Sequence, residues 1–468
     1  MSTQLSRRQL LRYVGLSASA VFLGACQPKI VEVTKIVKEV VKETVQVEKE
    51  KVVEKEKVVE KTVVVEKVVK ETAAPAKAPE RIVVNFAHCW SFAVQDFELL
   101  FKRLEDQNPN IKVQLEMIPP ATYADTLKTR YMGGEGPDVI FLWMPTVKEW
   151  NKLGLVMDVT ESMKEGWGDW IREDARKSMA VDGRDVMIPL RVTTLGIYYN
   201  QKIFEEAGLQ PFTSYDDFKL ACQTIKSKTK YVPLATAGAT QGWIFQLWLR
   251  IQNVSGMDEQ KLYDCQVGYA DLPGVKQTWQ MWKELMNSGW IPEGYFGMDY
   301  EPARALFFQG RAAMSLDGSW MLKDYRKGAE MSGFKYGIMP LPQINPKTPA
   351  KDVFNVDAIM AFKGTKHPKE TIEVLKFIST PDTQKYMAET WLNISLTKGV
   401  SYTDPDVKIF ASFLEGDKAW YGVTGAWSTT PEIGAAESKN WEGVAAGKVP
   451  IEEAIKQVQD AMNQYCKK

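Results

Sequence analysis

Gly133-Gly134-Glu135-Gly136-Pro137-Asp138-Val139-Ile140-Phe141-Leu142-Trp143 reads as a glycine-rich turn feeding a short apolar run. Residues 138–143 are too few for a helix, and their branched and aromatic side chains suit a strand buried on both faces. The same grammar extends outward. Residues 81–87 (RIVVNFA) form a buried strand, after which Val94, Phe97, Phe101 and Leu104 mark a helix face that stops before Asn108-Pro109. Residues 111–118 alternate as a second strand, and a further helix begins near Thr146. Strands alternating with helices specify an α/β fold with a largely parallel sheet, in which ligands bind beyond the carboxyl ends of the strands.

The pattern resumes after Pro189. Residues 195–199 are a strand, followed by a helix closed by Gly208. Ser214 and Asp217 have capping-box spacing. Residues 312–316 are a strand running into Asp317-Gly318-Ser319-Trp320 and a new helix. Pro368 and Pro450 stand in the first turns of two amphipathic helices, the second striped by Ile451, Ile455, Val458 and Met462. Two α/β lobes of comparable size fit residues 81–468.

Composition narrows the function. The chain has 59 basic and 59 acidic residues among 468, so no overall field draws nucleic acid. Its 45 % hydrophobic and 25 % charged content suits a globular protein rather than a disordered or multi-span one. With two histidines, a His-rich metal site is excluded. His88 reads as a strand-end residue and His367 as a helix N-terminal one. G-x-S-x-G, H-E-x-x-H and phosphate-loop patterns are absent, so the chain reads as no enzyme and needs no cofactor or metal. Asp138 and Asp317 make a conceivable glycosidase pair, whose separation a sequence cannot give.

The first 26 residues read as an address. Ser6-Arg7-Arg8-Gln9-Leu10-Leu11-Arg12 resembles a twin-arginine export signal. The apolar stretch that follows ends in Leu23-Gly24-Ala25-Cys26, which resembles a bacterial lipobox. That resemblance implies lipidation of Cys26 and anchoring outside the cytoplasm, on the periplasmic or outer membrane face. Residues 27–80 are a stalk of Val, Lys, Glu and Thr. Apolar residues recur there every 11 positions, as in Ile30, Val41, Val52 and Val63, and in Ile36, Val47, Val58 and Val69. An 11-residue repeat supports a helical supercoil. The two series project about 120° apart on a helix at about 100° per residue, and β-branched Val opposes an isolated helix. A spacer and a partner-binding coiled coil both fit. Cys89, Cys222, Cys265 and Cys466 remain, without a C-x-x-C pair and with their pairing open.

The order of signals over residues 81–468 resembles the family 1 extracellular solute-binding proteins of ABC importers, which include maltodextrin-binding protein. The pieces are Gly136-Pro137-Asp138-Val139-Ile140 and Leu195-Gly196-Ile197-Tyr198-Tyr199-Asn200-Gln201-Lys202. Next come Gly310-Arg311-Ala312-Ala313-Met314 with Gly318-Ser319-Trp320, and then Tyr336-Gly337-Ile338-Met339-Pro340-Leu341-Pro342. Lys363-Gly364-Thr365-Lys366-His367-Pro368 completes the series. Leu392-Asn393-Ile394-Ser395-Leu396 departs from the family by lacking a proline. The resemblance implies a type II periplasmic-binding-protein fold: a lobe of 81–192 with 345–398, a lobe of 193–344 with 399–468, and a hinge between them. Crossings are implied near 191–194, 341–346 and 396–399. It also implies a monomer that captures a solute, an oligosaccharide by the family's habit, and delivers it to an ABC permease. Glycerol phosphate, a polyamine or an iron complex on the same fold is the alternative, as is a sensory or adhesion lipoprotein.

A sugar needs aromatic plates for its C–H faces and planar polar groups for its hydroxyls. Trp90, Trp143, Trp243 and Trp320 stand at predicted strand-to-helix exits, Trp243 after Gly242 in a loop, and Trp391 and Trp427 lie in less regular segments. Trp143 is equally a core residue. Trp320 corresponds to a sugar-stacking position of the family, and Trp279, Trp282 and Trp290 read as packing. Arg191 reads as a hydroxyl clamp or a hinge salt bridge, and Asp138 as a turn cap or a ligand group. Tyr199, Asp317 and Asp357 complete the candidates.

Overall fold

The computed structural model describes residues 35–43, 55–63, 81–90, 93–120, 122–142, 144–253, 261–262, 265–344, 352–415, 419–420 and 431–467. The chain divides into two compact units, residues 1–79 and 80–468. In the first unit, β1 (Lys35–Glu43) and β2 (Lys55–Val63) pair antiparallel. Their register sets Lys38 opposite Glu60, Lys42 opposite Glu56 and Glu43 opposite Lys55. Branched Val favours an extended backbone. These two stretches are strands, so the helical alternative does not apply to them. The signal segment and Cys26 lie outside the described residues.

The second unit is built on one curled sheet ordered β4-β3-β5-β10-β6-β8-β7. Its strands are β3 (Ile82–His88), β4 (Ile111–Met117), β5 (Val139–Leu142), β6 (Ile188–Asn200), β7 (Val232–Ala235), β8 (Ala312–Gly318), β9 (Tyr336–Met339), β10 (Asp352–Ala361) and β11 (Ala419–Trp420). The β3–β4, β3–β5, β7–β8 and β10–β11 pairs are parallel. The sheet is not largely parallel, because β10 runs antiparallel to β5 and β6, and β6 antiparallel to β8 and β9 as well. Local grammar found β3, β4, β5, β8 and the second half of β6, but neither β10 nor the direction in which the chain re-enters each lobe.

β6 is the joint between the lobes. Ile188 to Thr194 pair with β10, whereas Leu195 to Tyr199 pair with β8 and Ile197 to Asn200 with β9. Pro189, read as a boundary, lies inside this 13-residue strand. It sits opposite Ala358 where the β10 register shifts, and an irregularity is where a strand tolerates proline. Just past the changeover, a Cβ at Gly196 would stand 2.9 Å from the Phe410 ring and 3.1 Å from the Met339 carbonyl. Only glycine lets the helix Pro405–Ser412 pack this close to the joint.

One apolar core gathers Phe97, Phe141, Trp150 and Trp167 in the first lobe; the other gathers Phe218, Trp248, Trp279 and Trp282 in the second. Trp279, Trp282 and Trp290 are buried packing residues, as expected. Asn200 and Ser214 cap their helices, and Gly208 closes the first of them in the left-handed conformation. Cys265 pairs with Cys466 across 201 residues, at a Cα separation of 5.8 Å. This fastens the end of the helix Ile451–Tyr465, whose Ala454, Val458 and Met462 are buried. Cys89 and Cys222 remain buried thiols, and burial pushes Cys89 up to about 12. No helix among the described residues is long and apolar enough to cross a membrane.

Cys466→Ser should lower the stability of the second lobe by about 2–4 kcal/mol, the usual value for opening a long disulfide loop. Denaturant unfolding without reductant measures it. An unchanged midpoint would mean that packing alone docks the terminal helix.

Candidate functional site

In the first lobe the site is assembled from β3, β6 and β10. Arg191 and Asp357 face each other in the β6–β10 register, and Arg191 Nε donates to Asp357 Oδ2 at 2.8 Å. Both residues are 5 % exposed. The guanidinium also lies 4.2 Å from the centre of the Trp90 ring. Such a contact is worth about 0.5–2 kcal/mol, the larger figure where water is excluded, as it is here. Trp90 lies two residues beyond β3 and leans on Phe141 at 4.3 Å. Trp391 sets its edge against Phe97 at 5.1 Å, and its Nε1 is buried without a hydrogen-bond partner among the described residues.

In the second lobe β8 ends in Asp317-Gly318, and a single 3₁₀ turn, Ser319–Met321, carries Trp320. Asp317 is 1 % exposed. Its Oδ1 accepts from Tyr300 Oη at 2.8 Å and from the Gly318 N–H at 2.8 Å, and its Oδ2 accepts from Tyr325 Oη at 3.1 Å. Burial raises this carboxyl to about 6, against the pull of those donors and of Arg304. Trp320 is partly exposed and donates its Nε1–H to Tyr300 Oη at 3.2 Å.

Contacts among the described residues tie the lobes together here. The Thr194 N–H donates to Ser319 Oγ at 3.1 Å, tying the changeover in β6 to the Trp320 turn. Lys323 Nζ meets Asp96 Oδ2 at 2.9 Å, joining the start of the helix Leu322–Ser332 to that of Val94–Gln107. Trp320 and Trp90 stand just before those two helices, so both belong to the seam between the lobes. The Asp96–Lys323 pair is a quarter to nearly half exposed and contributes only about 0–1 kcal/mol.

The other candidates lie apart. Asp138 is at the amino end of β5, away from the seam, where it accepts from the Asn85 N–H at 2.8 Å and from Thr365 Oγ1 at 2.5 Å. These contacts tie β5 to β3 and to the turn that precedes the helix Pro368–Ser379. Tyr199 lies five residues beyond the changeover, about 17 Å at the usual strand rise, against Phe204 and Gly337. Trp243 is within the helix Gly238–Asn253 and not in a loop; its side chain, like Trp143 and Trp427, lies outside the described residues. His88 closes β3, takes the Trp90 N–H on Nδ1, and is lowered to about 4 by burial. His367 occupies the N-cap position of the helix Pro368–Ser379. No group of three or more His, Cys, Asp or Glu is placed to hold a metal among the described residues. Tyr300, Arg304 and Tyr325 went unread in the sequence. The i,i+4 spacing of Tyr300 and Arg304 was visible, but not the packing of their helix beneath Trp320.

Comparison with known proteins agrees with this architecture. Residues 94–385 match the family described as bacterial extracellular solute-binding protein. A multiple sugar-binding protein of Streptococcus mutans is 25 % identical over 368 residues, covering 74 % of this chain and 84 % of the relative. A chitin oligosaccharide binding protein superposes with a TM-score of 0.72 at 21 % identity, over 82 % of this chain and 98 % of its own. The raffinose complex of the solute-binding protein RafE gives 0.70 at 20 %, over 82 % and 99 %. At these identities the structural likenesses establish the fold.

Arg191→Ala strips a buried carboxylate of its guanidinium partner and should lower stability by about 3–5 kcal/mol, read by urea unfolding. A loss under 1 kcal/mol would mean that water reaches Asp357. Asp317 carries a pH signature. Its folded value of about 6 lies above the ordinary 3.8, so its contribution is full below about pH 4 and is lost as pH rises through 6. Stability measured relative to Asp317→Asn should therefore fall by about 2 kcal/mol between pH 4 and pH 7. A flat difference would contradict a raised carboxyl.

Proposed function

The chain belongs to the bacterial extracellular solute-binding protein family, and from that premise we propose that it captures an uncharged carbohydrate between its lobes and delivers it to an ABC permease. The observation that carries the choice of solute is the neutrality of the first-lobe wall. Arg191 and Asp357 cancel each other beside Trp90. A wall of aromatic plates with no net charge suits a ring with C–H faces and hydroxyl edges, and offers little to a phosphate ester or a polyamine. The names of the relatives support the same class: multiple sugars, chitin oligosaccharide and raffinose.

In this reading Trp90, Trp320, Arg191, Asp357 and Trp391 face the solute, with Trp143, Trp243 and Trp427 as further aromatic contacts. The lobes are 81–192 with 345–398, and 193–344 with 399–468. A solute that touches both lobes only when they are closed shifts the population toward closure. A twin-arginine signal exports the chain, lipid on Cys26 anchors it, and residues 27–80 hold the monomeric carrier near its permease, raising effective concentration.

Thermal unfolding against maltotriose, raffinose, chitotriose, glycerol 3-phosphate and spermidine tests the proposal. A solute at 100 times its dissociation constant stabilises by about 2.7 kcal/mol, so one sugar series should raise the midpoint. Trp320→Ala should weaken that sugar at least about tenfold, equivalent to about 1.4 kcal/mol, without unfolding the chain. A shift with the phosphate or the amine alone would discard the carbohydrate.

A further inference from the structure

We infer that Tyr300 and Asp317 are positioning residues that set the plane of the Trp320 indole through a relay of hydrogen bonds, with neither of them touching the solute. This rests on the proposal that Trp320 is a contact plate. The directions in the relay follow from chemistry. An ionised carboxylate only accepts, so Tyr300 must donate its hydroxyl proton to Asp317 Oδ1 at 2.8 Å. The Tyr300 oxygen is then an acceptor for the indole, which can only donate, and the Trp320 Nε1–H reaches it at 3.2 Å. On the other side Tyr325 donates to Oδ2 at 3.1 Å, and the Ser315 hydroxyl at 2.6 Å is left to donate to Tyr325. One buried charge orients both tyrosines.

The relay is braced on every side that is visible. The Arg304 guanidinium lies 3.9 Å from the centre of the Tyr300 ring. A Cβ at Gly318 would stand 2.0 Å from the indole, so the ring lies against bare backbone and cannot move toward β8. The Tyr198 hydroxyl holds the Gly318 carbonyl at 3.1 Å, and Thr194 holds Ser319. An aromatic plate fixed before the solute arrives loses no rotamer freedom on binding, which is the general route from rigidity to affinity. Asp317 is thereby reassigned, from an edge group that meets hydroxyls to the anchor beneath the plate.

The test is a double-mutant cycle with a second readout that needs no solute. Affinities of the full chain for maltotriose, raffinose and chitotriose are measured by calorimetry for wild type, Tyr300→Phe, Trp320→Phe and the double variant. Tyr300→Phe keeps the ring but removes the acceptor, and should weaken the bound sugar about three- to tenfold. In the Trp320→Phe background, which lacks the indole N–H, the same change should have less than a twofold effect. Equal effects in both backgrounds, or none in either, overturn the relay. The indole N–H resonance that disappears in Trp320→Phe should move in Tyr300→Phe; an unmoved resonance also overturns it. If none of the three sugars binds wild type, the carbohydrate reading fails and the resonance alone decides the relay. If sugar binds but Trp320→Ala does not weaken it, Trp320 is not a contact, and the inference falls with that reading.

Discussion

The structure depends on one strand that changes partners. β6 gives its backbone hydrogen bonds to β10 up to Thr194 and to β8 from Leu195 onward. A strand cannot leave its buried N–H and C=O groups unpaired, so it belongs to whichever lobe supplies partners at each residue. The changeover is therefore a built joint: each half is rigid within its own lobe, and the bend concentrates where the partners switch. The residues proposed to meet the solute lie around it. Arg191 is three residues before the switch, and Ser319, beside Trp320, accepts the Thr194 N–H.

Around this joint the two lobes solve the problem of burying charge differently. The first lobe pairs a cation with a carboxylate and covers the cation with an indole. The second surrounds a single carboxylate with hydroxyl and amide donors, Arg304 acting at longer range. Paired, the first is electrically quiet. Solvated by protein donors, the second stays acid-base active near pH 6. Both walls are stiff, whereas the exposed Asp96–Lys323 bridge between them is weak. Stiff walls with a weak latch are what the proposed capture by closure requires.

What could be read in advance was local. The turn before β5, the Ser214 cap and the Gly208 terminator are each decided within a few residues, and they stand where their spacing put them. Trp320 at the end of β8 was legible for the same reason. The misreadings were non-local. Pro189 looked like a boundary because its tolerance comes from a register shift in β10, about 170 residues away. Gly242 suggested a loop at Trp243, although helix packing overrode it. Asp138 and Asp317 look alike in sequence. One ties β5 to β3 and the other lies buried beneath a plate. The Cys265–Cys466 pairing and the Tyr300 hydroxyl are products of the fold and carry no local signal.

The central claim is that the lobes close about the Thr194–Leu195 changeover when a sugar enters. Small-angle X-ray scattering of the chain alone, and with saturating raffinose, maltotriose or chitotriose, tests it most directly. The account predicts a smaller radius of gyration with the sugar that binds, and no change with the others. A sugar that binds tightly and leaves the radius unchanged would contradict closure as the mechanism of capture.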